Sequence, residues 1–188
     1  DEVKTAVTAI RDAGNEQCVL LHCVSNYPAD AADANLRAMD TMRKAFDLPV
    51  GYSDHTLGID VALAAVALGA CVLEKHFTVD RSLPGPDHRA SLEPDELRAL
   101  VKGVRTVESA LGHGRKEPAP SEANTTEVAR KSLVAIQDIP AGTQIRIEMI
   151  ACKRPGTGLQ PAMLPTLIGR TSKVLIRAGD LFREDLLV

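Results

Sequence analysis

Two histidines are the residues best placed to do chemistry in this 188-residue chain: His55 within Gly-Tyr-Ser-Asp-His-Thr-Leu-Gly (from Gly51) and His76 within Val-Leu-Glu-Lys-His-Phe-Thr (from Val72). Each follows a short apolar run, so two similar strand ends offer one imidazole apiece, which suggests a shared divalent-metal site. Two imidazoles leave coordination positions open for water and substrate, and an ion held in that way acts as a Lewis acid on a carbonyl. Glu74 lies two residues before His76. On a strand it therefore shares that residue's face and is in reach of a proton on water or on a hydroxyl. The alternative for Glu74 is a salt bridge to a neighbouring lysine. Asp54 either orients His55 or caps the loop that follows, and Lys75 alternates to the opposite face, toward the helices.

These residues need elements that deliver them to one place. Helical periodicity covers Val3 to Ala13, Ala32 to Phe46, a stretch from Val61, and Pro94 to Leu111. Between these lie the apolar runs Cys-Val-Leu-Leu-His-Cys-Val (from Cys18), Leu-Pro-Val-Gly-Tyr-Ser-Asp-His and Cys-Val-Leu-Glu-Lys-His-Phe. Alternating helix and strand predicts α/β architecture with a parallel sheet, whose strands bring their C-terminal ends to one face. Ser25, Ser53, His55, Glu74 and His76 converge there. Three strands do not close a barrel.

After Gly112 the character changes. Residues 113–130 are polar and rich in proline and small residues, which reads as a linker. From Lys131 to Val188 short β-rich runs are separated by Pro-Ala-Gly, Pro-Gly-Thr-Gly and Ala-Gly-Asp turns, the pattern of a small β-rich domain. Asp138-Ile139-Pro140-Ala141-Gly142 and Ile176-Arg177-Ala178-Gly179-Asp180 suggest related turns.

Composition narrows the partners. A net charge of −3 and the lack of an aromatic-rich basic stretch give no reason to expect nucleic acid, so the expected ligand is small. No apolar run reaches the length of a membrane span, and the opening residues are amphipathic rather than signal-like. Cys18, Cys23, Cys71 and Cys152 sit in apolar contexts without a C-x-x-C pair, which reads as buried free thiols and a reducing, cytoplasmic setting. The chain starts at Asp1 inside helical periodicity, and is read as a fragment.

Leu-Leu-His-Cys-Val-Ser-Asn-Tyr-Pro (from Leu20), the two histidine motifs, Leu-Pro-Gly-Pro-Asp-His (from Leu83), Arg-Lys-Ser-Leu (from Arg130) and Cys-Lys-Arg-Pro-Gly-Thr-Gly (from Cys152) occur in one order. In that set the chain resembles the sialic acid synthases, a family that includes legionaminate and pseudaminate synthases and condenses phosphoenolpyruvate with an amino sugar. The resemblance implies that residues 1–112 are the C-terminal part of a TIM (β/α)8 barrel, that 113–130 link it onward, and that 131–188 form an antifreeze-like SAF domain. It implies a C–C bond-forming transferase (EC 2.5.1 type) acting on phosphoenolpyruvate and N-acetylmannosamine or a related 2-acetamido sugar, with the isolated fragment inactive.

By resemblance, His55 and His76 hold the ion, usually manganese, with magnesium or cobalt as alternatives. Asp87 lies by resemblance near the metal-bound water and the substrate, and together with Glu74, placed by its strand position, is read as a catalytic carboxylate. Ser25 and Ser53 line the phosphoenolpyruvate site, and Tyr27 lies beside the sugar. Arg154 contacts the sugar's N-acyl group from the other subunit of a domain-swapped homodimer. Each has a plainer reading: a loop-capping aspartate for Asp87, serines that only satisfy backbone groups, loop packing for Tyr27, a surface charge for Arg154. His22, His88 and His113 read as structural. A non-catalytic carbohydrate-binding module is the competing function.

Overall fold

The computed structural model describes residues 1–188 as two compact units, Asp1–Gly114 and Arg115–Val188. No helix is long and apolar enough to cross a membrane.

The first unit runs α1 (Glu2–Asp12), β1 (Leu20–Cys23), α2 (Ala38–Phe46), β2 (Val50–Asp54), α3 (Asp60–Ala67), β3 (Leu73–Lys75) and α4 (Pro94–Leu111). Its three strands form one parallel sheet in the order β1-β2-β3. This is the β/α repeat from which parallel barrels are built. β2 is central and buried along its whole length, as expected for a parallel strand covered on both faces. Helices α2 and α3 cover it with Met39, Ala65 and their neighbours, packed on Val50 and Tyr52. Gly51 makes the middle of the sheet tight: a Cβ there would lie 2.4 Å from the Val72 carbonyl oxygen and 2.6 Å from Leu21 Cδ2. Leu100 of α4 packs with Ala62 and Leu92. The helix starts at Pro94, whose fixed φ suits the first turn, and is closed by a capping box in which Glu96 Oε2 accepts the Glu93 N–H at 2.9 Å.

The helix expected over Ala32 to Phe46 is interrupted. Ala31–Asp33 is a 3-10 turn capped by Asp30, whose Oδ1 accepts the Ala32 N–H, and Asn35 takes a positive φ of 40° before α2 begins at Ala38. Aspartate and asparagine side chains compete for backbone groups and break the helical pattern that the alanines suggest.

The second unit contains α5 (Ala123–Ala129), β4 (Ser132–Ala135), β5 (Ile150–Lys153) and the short α6 (Leu164–Leu167). β4 and β5 pair antiparallel. The core is built from Leu133, Ile139, Ile145, Ile176, Phe182, Leu187 and their neighbours. The two related turns meet each other: Ile139 and Ile176 exchange backbone hydrogen bonds at 2.7 and 2.9 Å, and Asp138 Oδ1 accepts the Ala178 N–H.

The segment read as a linker is ordered over its second half. Pro120–Glu122 is a 3-10 turn, with Glu122 accepting the Ala119 N–H, and α5 follows directly. Proline at the first position and the capping glutamate start a helix that the polar composition masks. The carbonyl of Glu127 then accepts the Gly156 N–H, fastening α5 to the Pro-Gly-Thr-Gly turn.

The cysteines depart from expectation. All four are free, but Cys23, Cys71 and Cys152 are exposed and Cys18 is half-buried. Apolar neighbours in sequence do not ensure burial where a strand is ending, as at Cys23, or has not yet begun, as at Cys71.

Candidate active site

Sheet register explains how the site is assembled. Ser53 stands opposite Glu74 and Asp54 opposite Lys75, so successive cross-strand pairs point to opposite faces. On one face Ser53 Oγ donates to Glu74 Oε1 at 2.7 Å. On the other Lys75 Nζ donates to Asp54 Oδ2 at 2.8 Å, with side-chain exposures of 6% and 0%.

One residue further along each strand come the histidines. The rings of His55 and His76 lie 5.3 Å apart, nearly perpendicular. Tyr27, on the loop after β1, stacks on His76 at 4.2 Å and meets His55 edge-on at 5.2 Å. Asp87 Oδ2 lies 3.8 Å from His76 Nδ1. The Asp87 side chain caps nothing; it is half-exposed and faces the imidazole. His55, His76, Tyr27, Asp87 and the Ser53–Glu74 pair are thus brought to the C-terminal end of the sheet.

Ser25 lies on the exposed loop between β1 and Tyr27 and makes none of these contacts. Arg154 is in the second unit, exposed, with its Nε donating to the Ala129 carbonyl at 3.0 Å.

The behaviour of Asp54 is settled by its partners. Its Oδ1 accepts both the N–H and the hydroxyl of Thr56 at 2.9 and 2.8 Å, while Lys75 bridges from Oδ2 to the Thr56 carbonyl. Asp54 therefore caps the loop that carries His55 and does not touch the imidazole. Lys75, placed on the face away from Glu74, is drawn into this buried pair. Beside it Tyr52 is fully buried with an unpartnered hydroxyl. Burial, followed by the nearby Asp54 and Cys23, pushes its phenol up to about 12.

Other residues support the site without having been singled out from sequence. Ser91 is buried; its Oγ donates to the Asp87 carbonyl at 2.7 Å and is 3.2 Å from the Tyr27 hydroxyl. With its one proton committed to Asp87, Ser91 accepts from Tyr27. Arg81 Nε donates to the Ser91 carbonyl while its Nη2 pairs with Glu96, which raises the Arg81 pKa and lowers that of Glu96. Cys23 Sγ is 3.8 Å from His55 Nδ1. The serine and the arginine carry no motif of their own, and only the fold joins them to Tyr27. His22 and His88, read from sequence as structural, meet the Ala34 carbonyl at 2.9 Å and the Thr78 hydroxyl at 2.8 Å.

As donors, two imidazoles at this spacing suit a divalent ion that keeps most of its sphere for water and substrate oxygens. No cluster of three or more His, Cys, Asp or Glu side chains forms a ready-made cage.

Residues 1–116 match the model of the NeuB family, and residues 130–188 match that of the SAF domain. The chain belongs to the NeuB family. It is 45% identical over 182 residues to N,N'-diacetyllegionaminic acid synthase of Legionella pneumophila, covering 95% of this chain and 51% of that protein. To N-acetylneuraminate-9-phosphate synthase of Mus musculus it is 42% identical over 187 residues, covering 98% and 52%. Among solved structures, the N-acetylneuraminic acid synthetase of Leptospira borgpetersenii is similar with 46% identity and a TM-score of 0.59, over 67% of this chain and 44% of that one. The chain spans about half the length of the curated relatives it matches. Family membership accounts for the fold class: parallel β/α units from the C-terminal part of a TIM barrel, followed by an antifreeze-like SAF domain.

Proposed function

We propose that this chain carries the aldehyde-activating part of a nonulosonate synthase, which condenses phosphoenolpyruvate with N-acetylmannosamine or a related 2-acetamido sugar and releases phosphate. The observation that carries this reading is the convergence of His55, His76 and Tyr27 beside Asp87 and the Ser53–Glu74 pair. Relatives of about twice the length support placing turnover in a full-length synthase of which this chain is a part.

His55 and His76 would hold a divalent ion, manganese first among candidates; when bound, it supplies Lewis acidity to the sugar's open-chain aldehyde. C3 of phosphoenolpyruvate attacks the aldehyde carbon, and the aldehyde oxygen becomes a hydroxyl by taking a proton. Water then adds at C2, and the tetrahedral centre collapses with C–O cleavage to expel phosphate. Asp87 and Glu74 are the groups assigned to hold and return these protons. Glu74 is oriented for this by Ser53, whose own proton is spent on the carboxylate. Ser53 can therefore donate to a phosphoenolpyruvate oxygen only after Glu74 finds another partner, and Ser25 on its loop is the freer donor. Tyr27 forms a flat wall against His76 on which the sugar is assigned to lie. Arg154 is assigned to the N-acyl group of a sugar bound in the second subunit of a homodimer. Four free thiols fit a cytoplasmic enzyme.

The test is phosphate release from phosphoenolpyruvate by the full-length synthase with manganese, across a panel of amino sugars, beside a His55→Ala, His76→Ala double variant. Sugar-dependent release that the variant abolishes is expected. No release with any sugar from folded protein, or unchanged release by the variant, would overturn the proposal.

A further inference from the structure

Ser132 is a fully buried polar residue at the start of β4 that no step above uses. Its hydroxyl joins the two ends of the turn that follows Arg154: Oγ donates to the Pro155 carbonyl at 2.7 Å and accepts the Gly158 N–H at 2.8 Å. One hydroxyl thus spans Pro155 to Gly158 and uses its donor and an acceptor position in doing so.

The same turn is gripped from its other side by α5. The Glu127 carbonyl accepts the Gly156 N–H at 2.8 Å, and the Ala129 carbonyl accepts Arg154 Nε at 3.0 Å. Both glycines are there because the backbone is pressed against its supports. A Cβ on Gly156 would lie 2.6 Å from Arg130 Cβ, and one on Gly158 would lie 2.9 Å from Leu181 Cβ and from the Phe182 carbonyl oxygen. Arg154 therefore leaves a turn fixed on two sides, with one guanidinium N–H already satisfied. Nη1 and Nη2 remain as donors on an exposed side chain that is tethered through Nε.

We propose that Ser132 is a positioning residue for Arg154, holding the 154–158 turn so that the two terminal guanidinium nitrogens meet the N-acyl group of the sugar without a search. This rests on the assignment of Arg154 to the sugar made above. A preorganised donor binds more tightly because little freedom is lost on contact. Removing the Ser132 hydroxyl takes from the Gly158 N–H and the Pro155 carbonyl the fully buried partner they share, so the turn loosens as both groups turn to water. The cost falls on sugar binding and spares phosphoenolpyruvate, which Arg154 does not touch.

The experiment is a double-mutant cycle in the full-length synthase with Ser132→Ala, Arg154→Ala and both together, reading the KM for the 2-acetamido sugar and for phosphoenolpyruvate separately. Arg154→Ala is expected to raise the sugar KM by about tenfold or more, the scale of one charge-assisted hydrogen bond. Ser132→Ala should raise it about fivefold with the phosphoenolpyruvate KM unchanged, and should add almost nothing in the Arg154→Ala background. Should Ser132→Ala not fold, Gly156→Ala perturbs the same turn from the α5 side and should give the same one-sided rise. An Arg154→Ala enzyme with normal sugar KM would remove the Arg154 assignment and this proposal with it. A large Arg154 effect with an unchanged sugar KM in Ser132→Ala, or with effects that simply multiply in the double variant, would overturn the role of Ser132 alone.

Discussion

Lys75→Met tests how the loop carrying His55 is held. Lys75 and Asp54 are a buried pair, with side-chain exposures of 6% and 0%, and Lys75 also donates to the Thr56 carbonyl at 2.7 Å. Removing one member of such a pair costs about 3–5 kcal/mol, because a charge is left buried without its partner. Asp54 keeps both Thr56 hydrogen bonds, which places the expected loss for Lys75→Met at the lower end, about 3 kcal/mol. Asp54→Asn leaves the ammonium with a single neutral acceptor and is expected to cost at least as much. In the double variant neither charge remains, so its loss should fall short of the sum of the singles by about 2 kcal/mol. The assay is urea unfolding followed by tyrosine fluorescence. The chain has two tyrosines and no tryptophan, and both Tyr27 and Tyr52 lie in the first unit, so the signal reports that unit alone. A loss below about 1 kcal/mol for Lys75→Met, or strictly additive singles, would show that the pair does not hold this loop.

Tyr52 gives a pH dependence. Its phenol is raised from 10.0 to about 12 in the folded chain, so folding favours the protonated form. Stability is then whole below pH 10 and declines as pH rises from 10 toward about 12, by about 2–3 kcal/mol. Tyr52→Phe, which removes a buried hydroxyl without a partner, should be neutral or slightly stabilising at pH 7 and should flatten that decline; a clear loss at pH 7 would refute this account. Gly51→Ala should destabilise the first unit by about 3 kcal/mol or more, since backbone on one side and Leu21 on the other block the added methyl. Urea midpoints measured by tyrosine fluorescence check it, and a change within about 0.5 kcal/mol would mean that the sheet yields there.

The alternation of helical and apolar stretches determined the parallel α/β order of the first unit, because periodicity records which faces are buried. The motif set determined the family, and the turn residues marked the second unit as β-rich. His55, His76 and Glu74 were legible as candidates because each is a polar residue that comes just after an apolar run. Other features were not legible, because they depend on what lies opposite. Asp54 had two readings until register put Lys75 across from it and the following turn brought Thr56 to its other oxygen. Ser91 and Arg81 are unremarkable in the chain, yet they fix Tyr27 and Asp87 through contacts between residues up to 64 positions apart. Ser132 stands within the Arg-Lys-Ser-Leu motif, which gives it no role by spacing, and only antiparallel pairing with Lys153 brings it to the turn after Arg154. Local sequence determined which residues are available, since propensity and patterning act over a few positions. Tertiary structure alone decided which of them share a proton, because a hydrogen bond depends on a distance of about 3 Å that sequence spacing does not encode.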